Sequence, residues 1–464
     1  MKAWQPPVPG FLLVGMMSLI LFGSCSWPGG SPASEPRYAT FVGYAAVKVE
    51  PGKNGQTLLL LEKLQVQALV TRPVRKLIWL DAALKTFKEY SPPPGDSLVD
   101  FTIHPSGAVT TVEIVPAAGN DFFLKPLKAR LTRFGSDGVE VGFTVESGLP
   151  PEVDGDPVLP FTLDRARIAA SGEDVRLAVR WADNSVFAYG LTCGPGVLAV
   201  AWATEVEPPA RLLSIGIIGG GFDNFHQGDR DAFVYLDTDA SGTSYVVVPS
   251  NVEILPAHDA FFHETLTQGA DPGHFDYGVS IITKISPQGG REHSVLSGLG
   301  TNKRLLNIRA GGGKLFLIGR IKTGNQPQDW NSWIQTFGDN GDPLSEFSID
   351  VSQGDMFWDL APLTSGSLLA VGSTGYTQNP VGLSVSDPRD HLAVIVGPDG
   401  TVERRFFLPL GPRGRGNETV SVKVAGDQAV FAGAINAPGT HAPVFSDAFV
   451  EIEPWTSGLD LGSP

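Results

Sequence analysis

The sequence predicts an all-β fold, and three observations lead to that prediction. Short apolar or alternating runs of Val, Ile, Leu, Phe and Thr follow one another along most of the chain, separated by Gly, Pro, Asp and Asn. The 55 Gly and 37 Pro residues are spread along the sequence as turn signals, and no long helical pattern stands out. One hairpin-like pattern also recurs. Together these features predict a fold built from repeated hairpins.

The repeat is clearest toward the C-terminus. A turn, an apolar strand, a Gly and a polar loop recur in segments that begin at Gly312, Ser365 and Gly426. Each is followed by a second strand and a tight turn, as in NSWIQTFGDNG, DHLAVIVGPDG and DAFVEIEPWTSG. The tight turns fall near positions 83, 138, 196, 242, 289, 341, 400 and 458. Their spacing of roughly 46–59 residues is that of repeated supersecondary units.

This period, with two or more strands per unit, predicts a seven- or eight-bladed β-propeller of four-stranded blades. One such sheet cannot bury both faces alone, whereas sheets packed around an axis can, and a closed ring leaves only short edges. The last unit stops near Gly458 without an outer strand, and residues 37–50 hold a spare strand. We therefore expect the N-terminal strand to complete the last blade. The two short units between 196 and 289 leave the count open.

The later units resemble bacterial β-propeller repeats of secreted and surface proteins. The matching residues are VGST through Thr374, the segment Asp390 to Gly400, and the two DAFV segments that begin at Asp231 and Asp447. The resemblance covers residues 300–455 well, 200–300 loosely and 40–200 poorly, so a separate β domain over 37–200 is an alternative. It implies a fold and not a reaction, because propellers host many functions.

The first 36 residues predict the compartment. Lys2, the apolar run from Phe11 to Phe22 and the small residues before Cys25 form a secretory signal, which resembles a bacterial lipoprotein signal. The resemblance implies cleavage after residue 24 and acylation of Cys25, with Ser26 typical of outer-membrane sorting. Residues 25–36 then form a Pro/Gly/Ser tether and 37–464 the propeller. An ordinary secretory signal is the alternative. A membrane-spanning helix is disfavoured because the apolar run is too short.

The charge balance excludes some partners. The chain has 34 Lys and Arg against 49 Asp and Glu, a net charge of −15. Nucleic-acid binding requires a basic surface, so it is disfavoured, and so is broad adhesion to anionic headgroups. Any membrane attachment is therefore expected through the lipid anchor. Besides Cys25 the chain holds Cys193, which reads as a small buried hydrophobe.

Two groups of residues are candidates for metal binding or acid–base chemistry. Asp237 and Asp239 open a calcium-type loop, to which Asp223 could add an oxygen, but the twelfth position lacks the required acid. We therefore expect a solvated blade turn and no bound cofactor, with calcium as the alternative. His258 and His263 belong to a histidine-rich stretch, but they would face opposite sides of a strand, so convergence needs loops from different blades. Exposed loop histidines are the alternative.

Aromatic residues suggest a binding surface. Trp330 and Trp333 lie around the polar segment QPQDWNSW, and aromatic residues on loops are typical of binding faces. Core packing between blades is the alternative. The leading hypothesis is a cell-envelope binding or scaffolding lipoprotein without catalysis, which holds a protein, peptide or glycan through its loops. The second is an extracellular polymer hydrolase or lyase with His and carboxylate residues from the 223–293 loops; no GxSxG nucleophile motif is present.

Overall fold

The structure is a computed structural model. It describes residues 37–67, 70–116, 127–145, 166–180, 186–194, 197–207, 234–250, 279–298, 303–324, 330–352, 354–375, 390–406, 408, 416–436 and 446–454. Within these residues, the strands form seven four-stranded antiparallel sheets, which are the blades of a β-propeller. The prediction of an all-β propeller with four-stranded blades is confirmed, and the number of blades is seven.

The strands of each blade follow one another from the axis outward. Blade 1 holds β2 (Ala45–Pro51), β3 (Thr57–Gln67), β4 (Val70–Leu80) and β5 (Thr86–Tyr90). Blade 2 holds β6 (Ser97–Ile103), β7 (Val109–Pro116), β8 (Leu127–Phe134) and β9 (Glu140–Val145). Blade 3 holds β10 (Ala166–Ser171), β11 (Asp174–Arg180), β12 (Val186–Gly194) and β13 (Val197–Glu207).

The same order continues in the second half of the chain. Blade 4 holds β14 (Tyr235–Thr238), β15 (Ser244–Ser250), β16 (Val279–Ile285) and β17 (Arg291–Gly298). Blade 5 holds β18 (Lys303–Gly311), β19 (Lys314–Lys322), β20 (Trp330–Gly338) and β21 (Pro343–Ile349). Blade 6 holds β22 (Met356–Pro362), β23 (Leu368–Thr374), β24 (Asp390–Val396) and β25 (Val402–Phe406).

Blade 7 is assembled from both ends of the chain. It holds β26 (Glu418–Ala425), β27 (Gln428–Asn436), β28 (Ser446–Pro454) and, as its outer strand, β1 (Arg37–Phe41). The pairing of β1 with β28 is antiparallel. The backbone N–H of Gly43 donates a 3.0 Å hydrogen bond to Oδ1 of Asp447 just beyond this ladder. The expected completion of the last blade by the N-terminal strand is therefore confirmed.

The apolar core lies between the blades. Seven clusters of buried side chains each take residues from two neighbouring blades, as expected when sheets bury their faces against one another. The cluster between blades 7 and 1 joins Val450 to Leu59, for example. First strands of neighbouring blades lie side by side around the axis, such as β6 beside β10 and β22 beside β26. Residues 37–207 thus belong to the same ring as the later blades.

Eight units result when one turn inside a blade is counted as the end of a unit. Gly138, Gly289, Gly341 and Gly400 lie between third and fourth strands, but Gly242 lies between β14 and β15, the first and second strands of blade 4. Blade 4 is also interrupted by residues 251–278 and preceded by 208–233. The two DAFV segments consequently differ in position, because one runs into β14, a first strand, and the other lies in β28, a third strand.

The two ends of the blades differ in how they connect strands. At one end, which we name the turn face, tight turns join first to second and third to fourth strands. At the other, the connection face, second strands lead to third strands and each blade leads to the next. Arg37 lies at the turn face, where its Nη1 donates to the carbonyl of Ala82 in the β4–β5 turn. The chain therefore joins the ring at the turn face.

Within the described residues, the structure contains no helical segment with the length and hydrophobicity needed to cross a bilayer. Cys193 is half-buried with a free thiol, and burial raises its pKa, so the thiol stays protonated at neutral pH. This agrees with the interpretation of Cys193 as a small packing residue. Cys25 lies outside the described residues, so its acylation stays a prediction.

Candidate functional site: a polar ring on the innermost strands

Five innermost strands share a local irregularity. A register shift in β2, β6, β18, β22 and β26 is followed by a polar residue, namely Lys48, Asp100, Asn307, Asp359 and Ser421 respectively. A β-bulge re-aims a side chain and strengthens the local twist. Each of these side chains forms a hydrogen bond to the innermost strand of the next blade. We name these five residues the inner polar ring.

Asp359 has the densest contacts of the ring. Its carboxylate is fully buried, and Oδ2 accepts from Nη2 of Arg309 at 2.7 Å and from the backbone N–H of Val422 at 3.0 Å. The hydroxyl of Ser421 lies 3.3 Å from the same oxygen, and Nδ2 of Asn307 lies 3.4 Å from Oδ1. Blades 5, 6 and 7 therefore meet at one neutralised carboxylate.

Asp100 connects three other blades through a similar set of contacts. Its Oδ1 lies 2.9 Å from Nζ of Lys48 and accepts from the N–H of Phe101, while Oδ2 accepts from the N–H of Ile168 at 3.1 Å. Lys48 also donates to the carbonyl of Phe101 at 2.7 Å. One carboxylate thus connects blades 1, 2 and 3.

Glu50 extends the charged region along the axis. Its Oε1 lies 3.1 Å from Nζ of Lys423 and 3.8 Å from Nζ of Lys48. Burial alone would raise the pKa of Glu50, but the positive charges of Lys423, Lys48 and Arg309 outweigh burial and lower it. Glu50 is therefore ionised at neutral pH and paired with cations, which is the behaviour of a structural carboxylate and not of a general acid.

Two histidine side chains among the described residues form hydrogen bonds with uncharged groups. Nδ1 of His104 lies 3.1 Å from the carbonyl of Gly172, and Nε2 lies 2.8 Å from Oγ1 of Thr110. Burial lowers the pKa of His104, so its ring is neutral at pH 7. Nδ1 of His391 lies 3.1 Å from Oγ1 of Thr419. Both histidines thus link strands or blades.

Asp237 and Asp239 accept hydrogen bonds from different parts of the molecule. Asp237 accepts from the N–H of Ala310 in blade 5 at 2.8 Å, while Oδ1 of Asp239 accepts from Ser241 and Thr243 in its own turn. Among the described residues, no group of three or more His, Cys, Asp or Glu side chains is arranged to hold a metal ion. The other candidates, Asp223, His258 and His263, lie outside the described residues.

The aromatic candidates lie in the interior. Trp330 and Trp333 both belong to β20 and are 3% and 0% exposed. The guanidinium of Arg320 stacks 4.1 Å from the centre of the Trp330 ring, and Trp333 packs in the cluster between blades 4 and 5. The two rings are therefore packed in the core, which was the alternative to a binding surface. Neither ring is exposed to a partner at its position.

Sequence reasoning did not identify the inner polar ring. The signal was present, because Asp100 and Asp359 stand in apolar strands as SLVDFTI and MFWDLAP, and a carboxylate in such a strand needs a buried partner. Its partners, however, come from blades that lie far apart in the sequence. The only local hint is the recurrence of a polar residue at one position of several first strands.

Comparisons with known proteins identify no family for this chain. No protein-family model matches the chain, and no curated protein is significantly similar to it. The chain is similar in structure to the Neurospora crassa Pan2 WD40 domain, with 8% identity, a TM-score of 0.46 and 90% of each chain covered.

Two further solved structures have the same character. YCF48 bound to D1 peptide has 11% identity and a TM-score of 0.45, with 92% of this chain and 97% of that chain covered. Chaetomium thermophilum Sqt1 bound to the N-terminus of the ribosomal protein L10 has 13% identity and a TM-score of 0.41, with 85% and 84% covered. At such identities and scores, the likeness says nothing about what this chain binds.

Proposed function

We propose that this chain is a lipid-anchored protein of the bacterial cell envelope, sorted to the outer membrane, whose propeller holds a protein, peptide or glycan partner. One observation carries the proposal. The N-terminal strand joins the ring at the turn face, beside the β4–β5 turn, while second strands lead to third strands at the opposite face. A tether attached at Arg37 leaves the connection face free, and propellers present variable connections to their partners.

The chemistry of the axis supports binding over catalysis in the part of the chain that the structure describes. The carboxylates of Asp100 and Asp359 are each shared between a cation and backbone N–H groups. A general acid or nucleophile needs a group that can reach substrate with a pKa suited to its task. These two carboxylates are already occupied in joining blades, so substrate contact at the axis would break the joints.

The anchor is tested by lipid labelling of the full chain in a Gram-negative host that is fed a clickable fatty acid. We expect label and outer-membrane fractionation for the wild type, and loss of both for Cys25→Ser. Cys193→Ser is the matched control, which should keep the label because its thiol lies inside blade 3. Label that survives Cys25→Ser would contradict the lipoprotein assignment.

The binding face is tested by photo-crosslinking in the same cells. A photoreactive amino acid is placed at Asp350, an exposed position on the connection face, or at Asp399, an exposed position of the same residue type on the turn face. We expect a discrete crosslinked partner from position 350 and a weaker or absent one from position 399. Equal crosslinking from both faces would refute the assignment of the binding face.

A further inference from the structure

The closing blade contains a buried carboxyl group with no hydrogen-bond donor. Glu451 in β28 is 1% exposed, and neither oxygen of its side chain has a hydrogen-bond partner among the described residues. Most buried polar groups in proteins are hydrogen-bonded, and an ionised carboxylate without a partner is especially unfavourable. This residue is therefore an exception that needs an explanation.

The alternation of β28 shows where the carboxyl points. Ala448, Val450 and Ile452 pack in the cluster shared with blade 1, whereas Phe449 packs in the cluster shared with blade 6. Successive side chains of a strand point to opposite faces, so Glu451 faces blade 6 with Phe449. Glu453 follows on the same face, so two carboxyl groups stand side by side within one strand.

The position of Glu451 also connects it to ring closure. Its directly paired neighbour in β1 is Tyr38, and its neighbour in β27 is Phe431. β1 is the strand that completes the ring. Any rearrangement of Glu451 therefore acts on the strand to which β1 is attached.

A second buried glutamate shows what a partly satisfied carboxyl looks like in this fold, because one of its two oxygens accepts a hydrogen bond. Glu113 in β7 is 0% exposed, but Oε1 accepts from the hydroxyl of Tyr90 at 2.6 Å and Oε2 lies 3.8 Å from Nη1 of Arg130. Glu451 has neither a donor nor a cation in the described part of the chain. A proton would satisfy it, because a protonated carboxyl can donate a hydrogen bond to an oxygen of the neighbouring Glu453.

We propose that Glu451 is a proton-binding residue that couples closure of the ring to pH. In the closed ring Glu451 takes up one proton from solvent and shares it with Glu453, and blade 7 packs against blade 6 with β1 in place. Loss of that proton to solvent leaves two adjacent carboxylates in an apolar joint, which loosens β28 and releases β1. The consequence is a ring that tightens on acidification and opens as pH rises.

The pKa behaviour agrees with this geometry. Burial raises the pKa of Glu451, and the neighbouring Glu453 raises it further. The native state therefore binds more protons than the open state. The stability from this group is complete below the ordinary pKa of a glutamate and is lost as pH rises through the raised pKa. Other charged or titratable groups on this side of β28 include Asp447 and the paired Tyr38. Those of the facing blade include Asp390, His391, Glu403, Arg404 and Arg405.

The test measures amide hydrogen exchange of the full chain between pH 6 and pH 9, corrected for the intrinsic exchange rate. In the wild type we expect protection of β1 and β28 to fall by up to about tenfold per pH unit, since one proton is released on opening. Glu451→Gln should remove this dependence in β1 and β28. Glu113→Gln is the matched control and should leave their pH dependence unchanged.

A second readout is independent of stability. The infrared spectrum of the native protein at pH 7 should contain a protonated carboxyl stretch that Glu451→Gln removes. If Glu451→Gln fails to fold, Glu453→Gln serves instead, because loss of that charge should move the pH at which protection declines. Protection in the wild type that does not vary with pH, or a carboxyl band whose intensity Glu451→Gln leaves unchanged, would overturn the proposal.

Discussion

The joint between blades 6 and 7 and the joint between blades 3 and 4 are held in different ways. Near the axis, Asp359 of β22 accepts from the N–H of Val422 in β26. Toward the rim, Nε1 of Trp202 in β13 donates to the carbonyl of Pro287 in the β16–β17 turn at 3.1 Å. Neighbouring blades can thus be fixed either by a buried charge at the axis or by an indole at the rim.

The rim joint depends on shape as well as hydrogen bonds. Oγ1 of Thr204 donates to the carbonyl of Gly289 at 2.6 Å, and Nη2 of Arg291 donates to the carbonyl of Val206 at 2.6 Å. A Cβ at Gly289 would lie 2.3 Å from the Trp202 ring. The comparison shows that the axial joint relies on neutralised charge, while the rim joint relies on the absence of one side chain.

The largest effect is expected from breaking the axial joint. Asp359→Ala leaves the Arg309 guanidinium buried without its carboxylate and removes the acceptor for Val422. Removing one partner of a buried ion pair costs about 3–5 kcal/mol, and we expect that loss in the free energy of unfolding measured in urea. Asp359→Asn keeps an acceptor and should lose less. Equal losses for the two variants would show that the charge alone holds this joint, and a loss well below this range for Asp359→Ala would contradict the role of the ion pair.

The rim joint should be broken by a single methyl group. Gly289 has φ +88° and its Cβ would overlap Trp202, so Gly289→Ala combines backbone strain of about 1–2 kcal/mol with overpacking of about 1–3 kcal/mol. Gly172→Ala is the matched control, with φ +62° and nothing within 4 Å of the new Cβ. Thermal unfolding should show the control losing only the backbone part. A control that loses as much as Gly289→Ala would refute the role of shape.

A smaller difference is expected within blade 4. Asp237 accepts from the N–H of Ala310 in blade 5, whereas Asp239 accepts only within its own turn. Asp237→Ala should therefore cost about 1–3 kcal/mol by leaving a donor without its partner, and Asp239→Ala about 1 kcal/mol. Urea unfolding of both variants measures the difference. A larger loss for Asp239→Ala would show that the turn matters more than the joint.

The smallest loss of stability is expected from replacing Glu50, which tests how much paired charge near the axis contributes. Lys423, Lys48 and Arg309 outweigh burial and lower the pKa of Glu50. A carboxylate with a lowered pKa contributes stability above its ordinary pKa and loses it as pH falls through the lowered pKa. Glu50→Gln should thus be less stable by about 1 kcal/mol at pH 7, with the gap closing as pH falls through the lowered pKa of Glu50. A gap that does not change with pH would contradict the pairing.

The propeller and its closure could be predicted because they follow from local turns and from a missing strand at one end. The number of blades could not be predicted from the sequence, for a physical reason. Gly242, in a first-to-second turn, and Gly289, in a third-to-fourth turn, have the same positive φ and similar sequences. Two turns per blade on the same face therefore look like two units when long segments separate the strands, as in blade 4.

The candidate site was harder to predict, because its contacts join different blades. Asp359 meets Arg309 from blade 5 and Val422 from blade 7, and a bulge sets the direction of its side chain. Neither feature has a local sequence signal strong enough to pair these residues. The polar neighbours of Trp330 and Trp333 suggest an exposed binding surface, but β20 begins at Trp330 and carries both rings into the interior, which is the alternative of core packing.

The closing strand has a consequence for how the protein is made. Gly43 and Asp447 are hydrogen-bonded across 404 positions of sequence, so the first strand to be synthesised is the last to find its place. Closing a loop of that length costs about 5 kcal/mol of chain entropy. Until β28 is complete, Tyr38, which is 65% exposed even in the finished ring, has no partner strand beside it. A chain without residues 446–454 lacks β28 and so cannot form this pair, which makes closure of the ring depend on both of its ends.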